Sequence, residues 1–152
     1  TNGTSKTPFG SGDSCLRAHV VTFLWRAAGS PEPKGTANPF QDVKETDFFY
    51  KAVLWAVEEK ITTGTSTTAF SPEQKCNRAQ VVTFLYRAMG EPEVNSAENP
   101  FSDVVVDAYY GKPVLWAVEK GITNGTSETT FSPADVCNRA AVVTFLYRTY
   151  EK

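Results

Sequence analysis

Three arginines, Arg17, Arg78 and Arg139, recur at a constant interval, each two residues after a cysteine. The run Cys15-Leu16-Arg17-Ala18-His19-Val20-Val21-Thr22-Phe23-Leu24-Trp25-Arg26 returns almost unchanged from Cys76 to Arg87 and from Cys137 to Arg148. A guanidinium is a planar fork of N–H donors that matches a carboxylate, and it also bonds backbone carbonyls. Each arginine therefore has two readings, contact with an anionic ligand or a bond to a neighbouring loop carbonyl or aspartate. A second repeated feature widens the first reading. The loops Thr62-Thr63-Gly64-Thr65-Ser66 and Thr123-Asn124-Gly125-Thr126-Ser127, with Thr1-Asn2-Gly3-Thr4-Ser5 as a third copy, offer amides and hydroxyls to a polar ligand. Asn-Gly is a turn signal, and Asn2 and Asn124 are read as turn residues although both fit the glycosylation sequon.

Other chemistry is poorly supplied. The one histidine, His19, has Gln80 and Ala141 as its counterparts, so no repeated reaction depends on it. Cys15 and His19 are four residues apart, but a metal needs three or four donors. Cys15, Cys76 and Cys137 share one site only if a threefold arrangement brings them together; otherwise each is a small buried residue copied by duplication. No G-x-S-x-G or phosphate-loop pattern appears, and no Ser-His-Asp set can be assembled. The expectation is a binding protein with no catalytic residues, no cofactor and no metal.

The elements that position these residues follow from apolar spacing. Phe48 to Val57 and Tyr109 to Val118 are densely apolar stretches that read as mostly buried helices, here called helix A of each unit. Pro113 fits if its helix starts nearby, with proline in the first turn. Gly121 falls where that helix should stop in a left-handed residue, and Lys60 takes the same position one unit earlier. A second helix, B, starts after Phe70-Ser71-Pro72 and Phe131-Ser132-Pro133. Asn77 with Gln80 makes a capping-box pair there, whereas Leu16 with His19 and Asn138 with Ala141 do not. Trp55, Trp116 and the paired aromatics Phe48-Phe49 and Tyr109-Tyr110 are read as core. Asp42 and Asp103, in Phe-x-Asp-Val, are read as turn or cap residues and kept as candidate ligand contacts.

The 152 residues fit one domain: 1–29 as the second half of a first repeat, 30–90 as repeat two with its Pro-rich linker, and 91–152 as repeat three. A net charge of −2 and a 21% charged content give no electrostatic reason for nucleic-acid binding, and no apolar run is long enough to insert in a membrane.

Taken in order, F-x-D-V, an aromatic pair, A-V-x-x-A-V-x-x-G-I, x-x-G-x, F-x-P and x-R-A-x-V-V-x-x-L-x-R resemble the S-layer homology domain over the whole chain. The resemblance implies an all-α fold of helix-loop-helix repeats packed in a pseudo-threefold bundle, here one helix short. It also implies extracellular anchoring at a bacterial cell wall or S-layer by binding anionic secondary cell-wall polysaccharide, among such polymers pyruvylated ones, in grooves between repeats. The family signature Thr-Arg-Ala-Glu falls on Leu16-Arg17-Ala18-His19, Asn77-Arg78-Ala79-Gln80 and Asn138-Arg139-Ala140-Ala141, so the arginine is kept and its flanking Thr and Glu are not. The implied ligand contacts are Arg17, Arg78, Arg139, Asn77 and Gln80, with Gly64, Thr65, Gly125 and Thr126 in the loops and Asp42 and Asp103. The alternative is a structural or protein–protein module that has lost its glycan site.

The half-repeat at the start carries a further expectation. Helix B of repeat one, with Val20, Val21, Phe23, Leu24 and Trp25, has no helix A of its own. An apolar face left open there is expected to be covered by upstream residues in the native protein, by a rearranged packing of the five helices, or by a second copy of the chain; upstream cover is the favoured reading, with self-association expected of this chain alone.

Overall fold

The computed structural model describes residues 12–96 and 98–151. The Thr1-to-Ser5 loop lies outside them. Five helices make up the fold: α1 Arg17–Ala27, α2 Tyr50–Glu58, α3 Arg78–Ala88, α4 Gly111–Glu119 and α5 Arg139–Tyr150. The three B helices, α1, α3 and α5, touch one another around a pseudo-threefold axis, while α2 lies against α1 and α4 against α3. Each A helix thus packs on the B helix of the preceding repeat. Among the described residues no helix is long and apolar enough to cross a membrane.

This pairing corrects the position of the open face. Val20, Val21, Phe23 and Leu24 are buried, α1 being packed by α2 on one side and by α3 and α5 on the others. Among the described residues the B helix without an A partner is α5. Its Thr144 and Tyr147 are exposed, Tyr147 at 66%, whereas the equivalent Thr83 and Tyr86 of α3 are buried, with the Tyr86 ring edge-on to Trp116 at 5.6 Å.

The repeats are locked at the axis by backbone. Cys15 N–H donates to the Cys137 carbonyl, Cys137 to Cys76 and Cys76 to Cys15, each at 2.9 Å. Short antiparallel bridges, Ser14 with Asn138, Leu16 with Lys75 and Asn77 with Val136, flank this ring. The threefold arrangement does bring the cysteines together, as free, buried thiols. Burial pushes the Cys15 and Cys76 thiols up to about 12 and Cys137 up to about 11, so all three stay protonated. Among the described residues no group of His, Cys, Asp or Glu is placed to hold a metal ion.

Helix ends follow the sequence closely. α2 stops in a left-handed residue, Lys60 at φ 61°, as α4 does at Gly121, φ 71°. In both, the next N–H reaches back to the last turn, Ile61 to Ala56 and Ile122 to Ala117 at 2.8 Å. A side chain at positive φ is strained, and Lys60→Gly is expected to stabilise the fold by about 0.5–1 kcal/mol. Thermal unfolding would check this, and a lower Tm for the variant would contradict it. Pro113 occupies the third position of α4, within the first turn.

The Pro-rich connectors are tied down rather than loose. Trp25 Nε1 donates to the Pro31 carbonyl at 2.7 Å and Tyr86 Oη to Pro92 at 3.0 Å. The Glu58 carboxylate accepts from the amides of Lys34 and Gly35, which hold it below the ordinary carboxylate range. Glu119 grips Asn95 and Ser96 in the same way.

Candidate functional site

The repeated arginines sit at the first residue of each B helix, where the chain turns off the axis. Arg17 N–H donates to Gln74, Arg78 to Asp135 and Arg139 to Asp13, so each helix start is held by the loop of the next repeat around the ring. The side chains follow the same rule. Arg17 Nε donates to the Phe70 carbonyl at 2.9 Å, and its guanidinium lies over the rings of Phe70 and Phe84 at 4.9 and 5.3 Å. Arg78 does the same with the Phe131 carbonyl at 2.8 Å and with the Phe131 and Phe145 rings at 4.7 and 5.4 Å. Arg139 lies over Phe23 at 5.1 Å, closing the circle. Arg17 and Arg139 are each 4% exposed, and burial pulls Arg17 and Arg78 below the usual arginine range. Of the two readings open in the sequence, Arg17 and Arg78 make the loop-carbonyl bond, and in all three repeats the cation lies over a ring face.

Asp42 and Asp103 have parallel positions. Both Asp42 oxygens accept backbone amides at 2.9 Å, Oδ1 from Phe70 and Oδ2 from Ser71, and Asp103 accepts from Phe131 and Ser132. Ser71 and Ser132 are left-handed at φ 59°, and the carboxylate forks fix that turn. Asp42 opens on a separate hollow with Lys44, Ser71 and Gln74.

The hydroxyl loops are tight turns. Gly64 N–H donates to Thr62 Oγ1 and Gly125 N–H to Thr123 Oγ1, both at 3.0 Å, with the glycines at φ 89°. Thr65 Oγ1 bonds Ser71 Oγ at 2.6 Å, and Thr126 Oγ1 bonds Ser132 Oγ at 2.6 Å.

Asn77 and Gln80 form the reciprocal cap expected for α3: Asn77 Oδ1 accepts from Gln80 N–H at 2.8 Å, and Gln80 Oε1 from Asn77 N–H at 2.9 Å. The other two repeats, in which the sequence offers no reciprocal pair, each make half of that cap. Asn138 Oδ1 accepts from Ala141 N–H at 2.8 Å. Leu16 cannot accept, but its N–H points to His19 Nδ1 at 3.4 Å. Burial, then the neighbouring Arg139 charge, hold His19 below its ordinary value, which keeps the imidazole neutral for that role.

One groove gathers several of these residues. Its volume is about 300 Å³, and it runs between repeats, with Arg17 in its floor, Thr62 to Thr65 along one wall, and Gln80 and Arg87 along the α3 wall. Tyr109 stands at its mouth. Arg17, Gly64, Thr65 and Gln80 therefore meet at one place, while Asp42, Asp103, Asn77, Arg78, Arg139, Gly125 and Thr126 do not line this groove.

Tyr109 and Arg87 were not among the expected contacts. The aromatic pairs, read as core, divide: Phe49 is buried and Tyr110 half-buried, but Phe48 and Tyr109 are 64% and 58% exposed. Phe48 and Tyr109 each sit two residues before the first residue of their helix, so they lie outside the helices themselves, although the apolar stretches read as core begin at them.

A family model described as S-layer homology domain matches residues 39–82 and 100–143. An endoglucanase of Bacillus sp. (strain KSM-635) is 35% identical over 82% of this chain and 13% of its own length. A surface layer protein of Brevibacillus choshinensis is 33% identical over 57% of this chain and 8% of its own length. The surface-layer 125 kDa protein of Lysinibacillus sphaericus is 29% identical over 78% of this chain and 10% of its own length. The chain thus spans a small part of each of these relatives. With the family pattern covering more than half of its residues, in register with both complete repeats, the chain belongs to the S-layer homology domain family.

Proposed function

We propose that this domain is a noncovalent anchoring module of a bacterial surface protein, which binds an anionic secondary cell-wall polysaccharide, a pyruvylated polymer being one such ligand. S-layer homology domains anchor proteins to the cell wall at the level of the family, and the surface-layer relatives fit that role. The observation that carries the reading for this chain is the inter-repeat groove. There Thr62 to Thr65 present hydroxyls and amides opposite Gln80, above the buried Arg17 charge. Such a cleft suits a hydroxylated polymer with acidic substituents, because each wall supplies donors and the floor is cationic. Nothing in this geometry assembles a nucleophile and base, and the endoglucanase relative matches over only 13% of its length.

Sedimentation with purified cell walls tests the reading. The chain is expected to sediment with intact walls and to remain in solution with walls stripped of their secondary polymer. Thr63→Trp, at an exposed wall position, is expected to block the groove and abolish sedimentation. A second reading, a protein–protein module, is favoured by the open α5 face with Tyr147 exposed. Failure to bind walls, together with self-association that Tyr147→Glu removes, would establish that reading instead.

A further inference from the structure

We infer that Arg87 and Tyr109 form the contact pair of the groove, with Tyr109 a platform for the apolar face of a sugar ring and Arg87 the donor to that sugar's carboxylate. The inference rests on the groove being a glycan site. Its ground is the contrast between two cations. Arg17 is spent: 4% exposed, stacked on two phenylalanine rings, with Nε held by the Phe70 carbonyl. Arg87, at the other end of the same groove, is half-exposed. Its Nη1 donates to the Ile61 carbonyl at 3.1 Å, which lays the side chain along the wall while a guanidinium has five N–H donors in all. A fork pinned at one nitrogen is oriented for the next acceptor, which lowers the entropy lost on binding.

Tyr109 supplies the second half. Its ring is 58% exposed and lines the groove beside Arg87. It packs edge to face with Tyr110, with centroids 5.2 Å apart and planes at 86°, which braces it there. Tyr109 and Arg87 also border the adjoining cavity of about 620 Å³, which reaches Glu91, Asp107 and Lys112. The pair therefore stands on the saddle between two hollows, where a chain of sugars longer than one ring would cross.

The equivalent places are not built alike. One repeat earlier the counterpart of Tyr109 is Phe48, whose ring stacks on that of His19 at 6.1 Å and 23°. The counterpart of Arg87 there, Arg26, is exposed. Arg148 repeats the Arg87 bond, to the Ile122 carbonyl at 3.0 Å. Among the described residues the structure thus assigns one pair in which the arginine is pinned at a groove wall and the aromatic ring beside it is not stacked on a histidine, Arg87 with Tyr109.

The test uses the full chain with polysaccharide released from purified walls, in native form and after reduction of its carboxyl groups to alcohols. Tyr109→Ala is expected to weaken binding about tenfold to both forms, and Tyr109→Phe to leave it unchanged. Arg87→Gln is expected to weaken binding to the native polymer about tenfold and to erase the preference for native over reduced. Circular dichroism monitors folding; should Arg87→Gln unfold, Arg87→Lys replaces it, with the same loss of preference at smaller amplitude. Wild-type binding with Tyr109→Ala unchanged, or an Arg87 variant that keeps its preference for native polymer, would overturn this inference alone. Absence of binding by the unaltered chain would overturn the groove reading along with it.

Discussion

Arg17→Ala should lower the unfolding free energy by about 3 kcal/mol, a large share of what holds a domain of this size together. Three losses combine. The Phe70 carbonyl gives up a charge-assisted bond in a buried place, two ring faces lose their cation, and the stem of the side chain leaves a void between repeats one and two. Arg17→Lys should recover less than half of this, because an ammonium cannot bond the carbonyl through a side-chain nitrogen at the Nε position while stacking flat between two rings. Urea unfolding followed by circular dichroism would read the effect as a lower midpoint at unchanged slope. A loss under about 0.5 kcal/mol, the ordinary size of a surface change, would show that the arginine does not join the repeats.

Gly64→Ala should be comparably severe. A Cβ there would stand 2.5 Å from Phe40 Cε1, 2.6 Å from the Ala69 carbonyl oxygen and 2.8 Å from that of Ser66, on a backbone at φ +89°. Two of those neighbours are backbone and cannot move aside. Overpacking with left-handed strain amounts to about 2–4 kcal/mol, or a fall in Tm of roughly 6–12 °C for a domain of this length. Gly125→Ala meets Phe101 Cε1 and the Thr130 carbonyl oxygen at 2.5 Å and should behave alike. Gly90, at φ +86°, has nothing within 4 Å of a built Cβ, so Gly90→Ala should show the backbone strain alone, about 1–2 kcal/mol. Equal losses at Gly64 and Gly90 would rule out the steric account.

What the sequence made legible was local. The cap of α3 is written in Asn77 and Gln80, and the stop of α2 in the alignment of Lys60 with Gly121; both depend on residues within one turn of each other. The buried faces of α2 and α4 are visible in their unbroken apolar runs. The packing partners of those helices were not legible. Periodicity says that α2 needs a cover but not that it belongs on α1, so the open face was expected on α1 and lies on α5. The arginines failed to declare themselves for a related reason. The carbonyl that Arg17 bonds, at Phe70, and the second ring over which it stacks, Phe84, lie far along the chain, and only the closed arrangement of repeats brings them together. Groove residues on different elements, Thr65, Gln80 and Tyr109, are likewise neighbours by tertiary structure alone.

The ring of cysteine amides at the axis fixes a number. Its three donors and three acceptors are all used, Cys15 to Cys137, Cys137 to Cys76 and Cys76 to Cys15. A linear array of repeats can lengthen by one unit at either end, since each copy contacts only its neighbours. Here a fourth copy would find no unpaired amide in the ring to join it. The same arithmetic acts downward: withdrawing one copy strands a buried N–H and a buried C=O on the other two. Three is thus the number of copies at which every amide and carbonyl of the ring has its partner.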